Sequence, residues 1–459
     1  MMNGGDGGPR VSETLSISQR IDRLPMTKGM WKVLGVVGIG WMFDAMDQGM
    51  ISNVLRALNA DTEKGWSLDQ NQSAWLISIG FLSLMVGAAL SGMASDRFGR
   101  RSVILWTLII FSAGSLICGF AGSPTMLFVG RFISGFGLGG ELPAASTLVS
   151  EYSPVKHRGR NVVILESFWA WGWIIAALVG YLAVPAWGWR AAFFIGAVPA
   201  LFAAVLRFLT PESPRYLELS GRYDKADALV SKLEDEAGIS YTGGQAPQGD
   251  GKRPSMLRAF GSLWTKRHVR RTFVLWIIWF GINFGYYGFV QWTPTLLGDR
   301  GFDLVVSLRF TLIMSLAQLP GYALAALLIE KIGRKPVLTL FMAGTALAAW
   351  LFGHSSSEAQ VLAFGCLLYF FALGAWGCVY SYTPELYPLK VRGVGVGWAM
   401  AFGRVGAFLA PQIVPKVYNA YGAEKGFSMV FVILTVVFLA VAVTVLVVGE
   451  ETKGKAVDE

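Results

Sequence analysis

Apolar runs separated by short polar stretches recur twelve times along the chain, at residues 31–55, 73–95, 102–122, 125–148, 161–184, 189–209, 272–292, 307–329, 336–353, 359–382, 393–415 and 427–448. At about 1.5 Å per residue each helix is long enough to cross a bilayer. The longest polar interval, Pro211–Arg271, follows the sixth run. Ala226, Leu229, Val230 and Leu233 recur there at helical spacing, and Tyr241–Pro254 is Gly- and Pro-rich, the composition of a flexible linker. The pattern predicts a segment 1–30, a six-helix bundle over 31–210, a loop over 211–271, a second six-helix bundle over 272–448 and a tail over 449–459. Met1–Lys28 has no apolar core for a cleavable signal, so the first run is expected to direct insertion. Ile17, Ile21 and Leu24 fit one face of a short helix, either at the membrane interface or within a disordered tail.

A repeat supports the division. Asp96-Arg97-Phe98-Gly99-Arg100-Arg101-Ser102-Val103 returns as Glu330-Lys331-Ile332-Gly333-Arg334-Lys335-Pro336-Val337, and Glu151, Pro154, Lys156, Arg158 and Gly159 return as Glu385, Pro388, Lys390, Arg392 and Gly393. Every pair is offset by 234 residues, the mark of a duplicated half. Two similar bundles with a site between them suit alternating access.

Composition sharpens this picture. Hydrophobic residues make up 54% of the chain and charged ones 15%, too little polar surface for a soluble protein of this length. The net charge of +9 raises nucleic acid as a partner, but its distribution excludes that reading. Thirty of the 39 Lys and Arg fall on one side of the twelve-span layout and seven on the other, with Arg131 and Arg404 inside spans. That asymmetry places both termini of a multi-pass protein in the cytoplasm. Cys118, Cys366 and Cys378 lie in apolar runs and read as small buried hydrophobes. Three His without clustered partners provide no metal site. No nucleophile, nucleotide loop or cofactor motif supports an enzyme.

The acidic-Gly-basic turns after the second and eighth runs resemble the signature of the major facilitator superfamily, over essentially the whole chain. Pro211-Glu212-Ser213-Pro214-Arg215, Pro384-Glu385-Leu386-Tyr387-Pro388 and Glu451-Thr452-Lys453-Gly454 are similar to sugar-porter signatures. The expected fold is therefore an all-α membrane protein with twelve transmembrane helices in two pseudo-symmetric six-helix bundles. In the turns, Gly99 and Gly333 permit the reversal while Asp96, Arg100 and Arg101, and Glu330 and Arg334, can pair across helix ends. Glu151 with Arg158, and Glu385 with Arg392, can do likewise. These groups read as a cytoplasmic gate that closes when the protein faces outward, and Glu166, near the start of the fifth span, is grouped with them. Positive-inside topology alone explains the basic residues but not the repeated acids.

Charges inside spans point to transport. Asp44 and Asp47 sit three residues apart, on one helical face, in the first span. An acid at bilayer depth costs at least about 2.5–3.5 kcal/mol. Asp47 lies about 12 Å from the outer helix end and Arg131 about 9 Å, by residue count. They meet if spans one and four are neighbours, as the superfamily resemblance implies. Protonation of Asp47 then releases Arg131, a coupling device, against the alternative of a static ion pair. Glu141, about 24 Å from the outer edge, either relays protons or pairs with the basic turns. Gly130, Gly135, Gly137, Gly139 and Gly140 let helices approach closely.

Asp44 and Arg404 both come out near the midplane, about 16 Å from a helix end. Arg404 either binds an anionic substrate or packs between the halves. Asn283, Tyr286, Tyr287, Gln291, Gln318, Tyr369, Trp376 and Tyr380 supply polar and aromatic surface for a flat ring, or simply packing.

Gly281-Ile282-Asn283…Tyr286-Tyr287 is similar to the sugar-porter motif of the seventh span, but Ile277 and Ile278 stand where that motif has two glutamines. Their loss removes hydrogen bonds needed for hydroxyl recognition. Asp44-x-x-Asp47 resembles the aromatic-acid/proton symporters, with Ala45 where those have Gly. Phe136-Gly137-Leu138-Gly139-Gly140-Glu141-Leu142-Pro143 and Gly397-Trp398-Ala399…Phe402-Gly403-Arg404 resemble the bacterial niacin transporter group, relatives of the synaptic vesicle protein family. The resemblance implies proton-coupled uptake of a small planar carboxylate such as nicotinate by a monomer in the lipid bilayer. The alternatives are a sugar or polyol porter, and a non-transporting receptor or interaction protein on a transporter scaffold.

Overall fold

The computed structural model describes residues 15–60, 68–239, 256–266, 268–387 and 389–453. Helices α1 (Ile17–Asp22), α2 (Lys28–Ala60), α3 (Gln70–Phe98), α4 (Arg100–Gly119), α5 (Pro124–Glu151) and α6 (Val155–Trp187) are followed by α7 (Trp189–Gly196) and α8 (Pro199–Leu209). Three short helices lead out of this half, α9 (Pro214–Leu219), α10 (Tyr223–Ala237) and α11 (Met256–Leu263). The second half comprises α12 (Val269–Val290), α13 (Thr293–Asp299), α14 (Leu304–Leu316), α15 (Gln318–Ile332), α16 (Arg334–Gly353), α17 (Glu358–Glu385) and α18 (Leu389–Val448).

Nine helical segments among the described residues are long and apolar enough to cross a membrane. α2, α5 and the α7/α8 pair complete twelve. α2 carries the intramembrane charges Asp44 and Asp47, and α5 carries Arg131 and Glu141. The sixth span is divided just before Pro199, which has no N–H to continue a helix and is tolerated at its start. The eighth span is divided at Ala317, between α14 and α15. α18 holds the last two spans, separated by Gly422 at φ 72. Helices dominate because hydrocarbon offers backbone groups no other partner.

In the first half α2 packs on α6, and α5 on both α3 and α4; in the second, α12 and α16 pack on α18, and α15 on α17. The halves meet where α3 lies against α18 and α14 against α6. The α5 glycines serve this packing: a Cβ on Gly137 would sit 2.5 Å from the Phe111 amide nitrogen of α4. One on Gly139 would run into the Leu84 carbonyl of α3.

An even number of crossings leaves α1, α9–α11 and residues 449–453 on one side, here called the loop side. The apolar stripe of α1 meets neither lipid nor solvent. Ile17, Ile21 and Leu24 are buried against Leu217, Ala226, Val230 and Leu233 of α9 and α10. Arg20 bonds Glu234 at 2.8 Å, Arg23 bonds the same carboxylate at 2.6 Å, and the Gly29 amide donates to Glu236 at 2.7 Å. The structure thus replaces both sequence expectations for this segment, because α10 offers it an apolar face ringed by acids. The expected linker Tyr241–Pro254 lies outside the described residues.

The halves are bonded to each other on the opposite side. Arg56 Nη2 donates to the Phe302 carbonyl at 2.9 Å, Gln291 Nε2 to the Gln48 carbonyl at 3.3 Å, Ser78 Oγ to the Phe408 carbonyl at 3.1 Å and Gln412 Nε2 to Ser78 Oγ at 3.0 Å. This seal leaves the space between the halves on its loop side.

Candidate functional site

A cavity lies between the halves, lined by Trp41, Glu166, Trp169, Ala170, Tyr287, Tyr322, Leu373, Trp376, Tyr380 and Arg404. α2 and α6 bring the first four and α12, α15, α17 and α18 the rest. Trp376 and Tyr380, one turn apart on α17, stack at 5.7 Å between centroids and 29° between planes. Opposite them Trp41 and Trp169 pack at 4.8 Å. The walls are therefore flat and aromatic. Two charges interrupt them: the Arg404 guanidinium, 3.5 Å from the Tyr287 hydroxyl, and the Glu166 carboxyl beside the Trp41 indole. Trp376 Nε1 is buried with no hydrogen-bond partner among the described residues, a donor available to a ligand.

Of the residues expected from sequence, the cavity gathers Arg404, Tyr287, Trp376 and Tyr380. It does not gather the others. Asn283 donates to the Trp279 carbonyl of its own helix at 2.8 Å, while Tyr286 donates to Gln318 at 3.1 Å and packs edge-on against Trp173 of α6 at 6.0 Å between centroids, in the seam between the halves. Gln291 lines a second cavity beside Arg131, and Tyr369 a third with Trp173. Glu166 is corrected from gate to cavity. Eleven residues into α6, its side chain points between the halves rather than to the basic turns. Trp41, Trp169 and Tyr322 were not anticipated, since apolar aromatics within spans look alike in sequence whether they pack or line a site.

Beside this cavity, within the first half, Asp47 and Arg131 form a buried ion pair with Nη1 to Oδ2 at 2.9 Å. Ser134 Oγ donates to the same oxygen at 2.9 Å and Ser115 Oγ to Oδ1 at 2.7 Å. Both carboxylate oxygens are thus satisfied, as a buried charge requires. Asp44 and Glu141 lie next to each other in the interior, and none of their four carboxyl oxygens has a well-formed hydrogen bond among the described residues. Glu141 thereby meets Asp44 rather than the basic turns.

The turns form two matching networks. Gly99 and Gly333 precede α4 and α16 at φ 94 and φ 100. Glu212 accepts from the Arg100 and Arg101 amides at 3.0 and 3.2 Å. Glu451 accepts from the Arg334 and Lys335 amides at 3.0 and 3.1 Å. Each carboxylate caps a helix N-terminus, where free N–H groups and the dipole favour negative charge. Arg100 then pairs with Glu151 at 3.2 Å, and Arg334 with Glu385 at 3.0 Å and with exposed Glu330 at 3.6 Å. The expected Glu151–Arg158 pair is not formed: Arg158 bonds Asp22 at 3.0 Å and the Ser150 carbonyl at 3.1 Å, because α1 brings a carboxylate to it. The side chains of Asp96 and Arg392 lie outside the described residues. Each of these named pairs joins partners on one half, or a half and the loop helices.

A family model described as sugar (and other) transporter matches residues 35–459. The chain belongs to that family, within the major facilitator superfamily. This transporter is therefore a multi-pass integral membrane protein. The niacin transporter NiaP of Acinetobacter baylyi is 45% identical over 444 residues, covering 97% of this chain and 99% of that protein. The synaptic vesicle 2-related protein of Xenopus laevis is 28% identical over 473 residues, 98% of this chain and 83% of the relative. The xylose transporter XylE from E. coli, in a partially occluded inward open conformation, has a TM-score of 0.73 at 21% identity, over 93% of this chain and 99% of that one. At that identity the likeness concerns the fold.

Proposed function

We propose that this transporter carries nicotinate or a similar small planar aromatic carboxylate into the cell with protons, by alternating access, its loop side and both termini in the cytoplasm. The observation that carries this reading is Arg404 in an aromatic-walled cavity between the halves. A guanidinium takes a carboxylate through two parallel hydrogen bonds, and stacked indole and phenol faces suit a flat ring. The niacin transporter relative adds support. The seal on the opposite side makes the described conformation inward-facing.

In this mechanism Asp47 is the coupling carboxylate. Protonation removes the charge that holds Arg131, Ser115 and Ser134 together, joining spans one, three and four. The freed guanidinium then favours the other arrangement of the first half. The Asp44–Glu141 pair, with unsatisfied oxygens, is a second place where a proton can reside.

Sugar transport has one point in its favour, the intact loop-side signatures. Against it, the cavity's described lining has no amide side chain, and hydroxyl recognition needs such groups. Binding of labelled nicotinate in competition with benzoate and glucose separates the readings. Nicotinate is expected to bind saturably and to be displaced by benzoate far better than by glucose; the reverse order would establish a sugar porter. Uptake of nicotinate into proteoliposomes, driven by an imposed pH gradient, is expected as well. Binding without any uptake would point to a receptor.

A further inference from the structure

Glu166 has no part in the mechanism so far. It is 6% exposed and lines the same cavity as Arg404, close enough for their charges to interact. Yet the two are not in ion-pair contact: the described hydrogen bond of the Arg404 guanidinium goes to the Tyr287 hydroxyl. A carboxyl whose task was only to neutralise Arg404 would close on it, because separated opposite charges in a low-dielectric interior attract strongly. Here they stand at two places on the wall of one cavity, where a single ligand would meet both. Such a ligand has an acid at one end for Arg404 and a basic group at the other for Glu166, with a flat body between.

From this geometry we infer that Glu166 is a specificity residue that recognises the ring nitrogen of a heteroaromatic acid, sharing one proton with it while Arg404 holds the carboxylate. The inference rests on the aromatic-acid reading above and names the subclass. Charge counting supports it. If Glu166 is ionised, it and Arg404 balance before a ligand enters, and a bound anion then leaves one excess negative charge. A single proton between the Glu166 oxygen and the ring nitrogen restores neutrality. It is either on the carboxyl, which then donates, or on the nitrogen, and one proton serves both. The groups facing Glu166 from neighbouring helices are Arg404 on α18, Tyr287 on α12, Tyr322 on α15, Tyr380 on α17 and the Trp41 indole on α2. Among these, Arg404 is the cation and none is a carboxylate that would take the proton instead. Benzoate has the same outline and carboxylate but places a C–H opposite Glu166, and a site built for a hydrogen bond rejects the analogue that lacks it.

The test is calorimetric titration of the purified full-length protein, wild type, Glu166→Gln and Glu166→Ala, with nicotinate and with benzoate. Wild type is expected to prefer nicotinate by about tenfold or more. Glu166→Gln keeps an N–H donor for the ring nitrogen, so it should retain most of that preference. Its nicotinate binding should no longer take up a proton, read from titrations in buffers of different ionisation heat. Glu166→Ala should bind the two acids alike, the preference for nicotinate being lost, and a thermal unfolding transition like that of wild type shows that the variant is folded. The inference is overturned if wild type does not discriminate, if the preference survives in Glu166→Ala, or if that variant weakens both acids equally. Failure of wild type to bind either acid would instead overturn the aromatic-acid reading itself.

Discussion

Three groups on two other helices, Arg131, Ser115 and Ser134, bond the Asp47 carboxyl oxygens in the interior of the first half. Asp47→Asn preserves volume and one acceptor but removes the charge, leaving Arg131 buried without its counter-ion. Loss of one partner of a buried pair typically costs about 3–5 kcal/mol. A fall in melting temperature is therefore expected in detergent, and in proteoliposomes uptake driven by a pH gradient should be abolished. Unchanged driven uptake would rule out the coupling role. Glu141→Gln should behave oppositely in stability. Asp44 and Glu141 face each other without donors, so two charges there would repel, and removing one should leave the melting temperature equal or higher. A large destabilisation would mean that the pair is held by contacts of another kind. Arg404→Lys replaces a planar fork with a point charge and should weaken nicotinate binding by about tenfold. Equal affinity would place the carboxylate elsewhere.

At the scale of elements, the loop side is held by carboxylates that bond amides and arginines. Burial pushes Glu451 up, but the amides of Lys453, Arg334, Lys335 and Thr452 outweigh it and hold the carboxyl below the ordinary glutamate range. Burial likewise pushes Glu234 up, and the Arg20 and Arg23 guanidinium groups outweigh it. A depressed carboxylate adds stability that is present above its unfolded value and lost as pH falls through the folded one. The α1 clamp and the Glu451 cap should thus be intact at neutral pH and loosen below about pH 4. Hydrogen exchange of residues 16–24 should accelerate on acidification across that range; exchange independent of pH, after correction for intrinsic rates, would contradict the account. The apolar face of α10 was visible in sequence as a helical stripe, and the stripe of α1 equally so. That each is the other's partner was not, because a short amphipathic helix carries no information about which apolar surface will cover it.

For the whole molecule, the proposed alternating access requires the two halves to rock apart where they are now bonded. Ser78 and Gln412 join them across α3 and α18 on the side opposite the loops. A disulfide between Ser78→Cys and Gln412→Cys should lock the inward-facing arrangement, stop nicotinate uptake and release it again on reduction. Full transport by the oxidised double variant would show that this seal does not open.

Span number, the duplicated halves and the all-helical class were already determined by the sequence, because a bilayer demands about twenty apolar residues per crossing and leaves the backbone few alternatives. The pairing of Asp47 with Arg131 was legible for a related reason: depth follows from counting residues, and isolated charges at that depth are costly. Rotation about each helix axis was not legible. Lipid-facing and protein-facing surfaces are both apolar in a membrane protein, so periodicity does not tell one from the other. Depth by itself therefore puts Glu166 with the gate, and chemistry by itself offers Tyr286, Gln318 and Tyr369 as readily as Tyr380. Only the packing of α2, α6, α12, α15, α17 and α18 around one space decided which of these side chains line it.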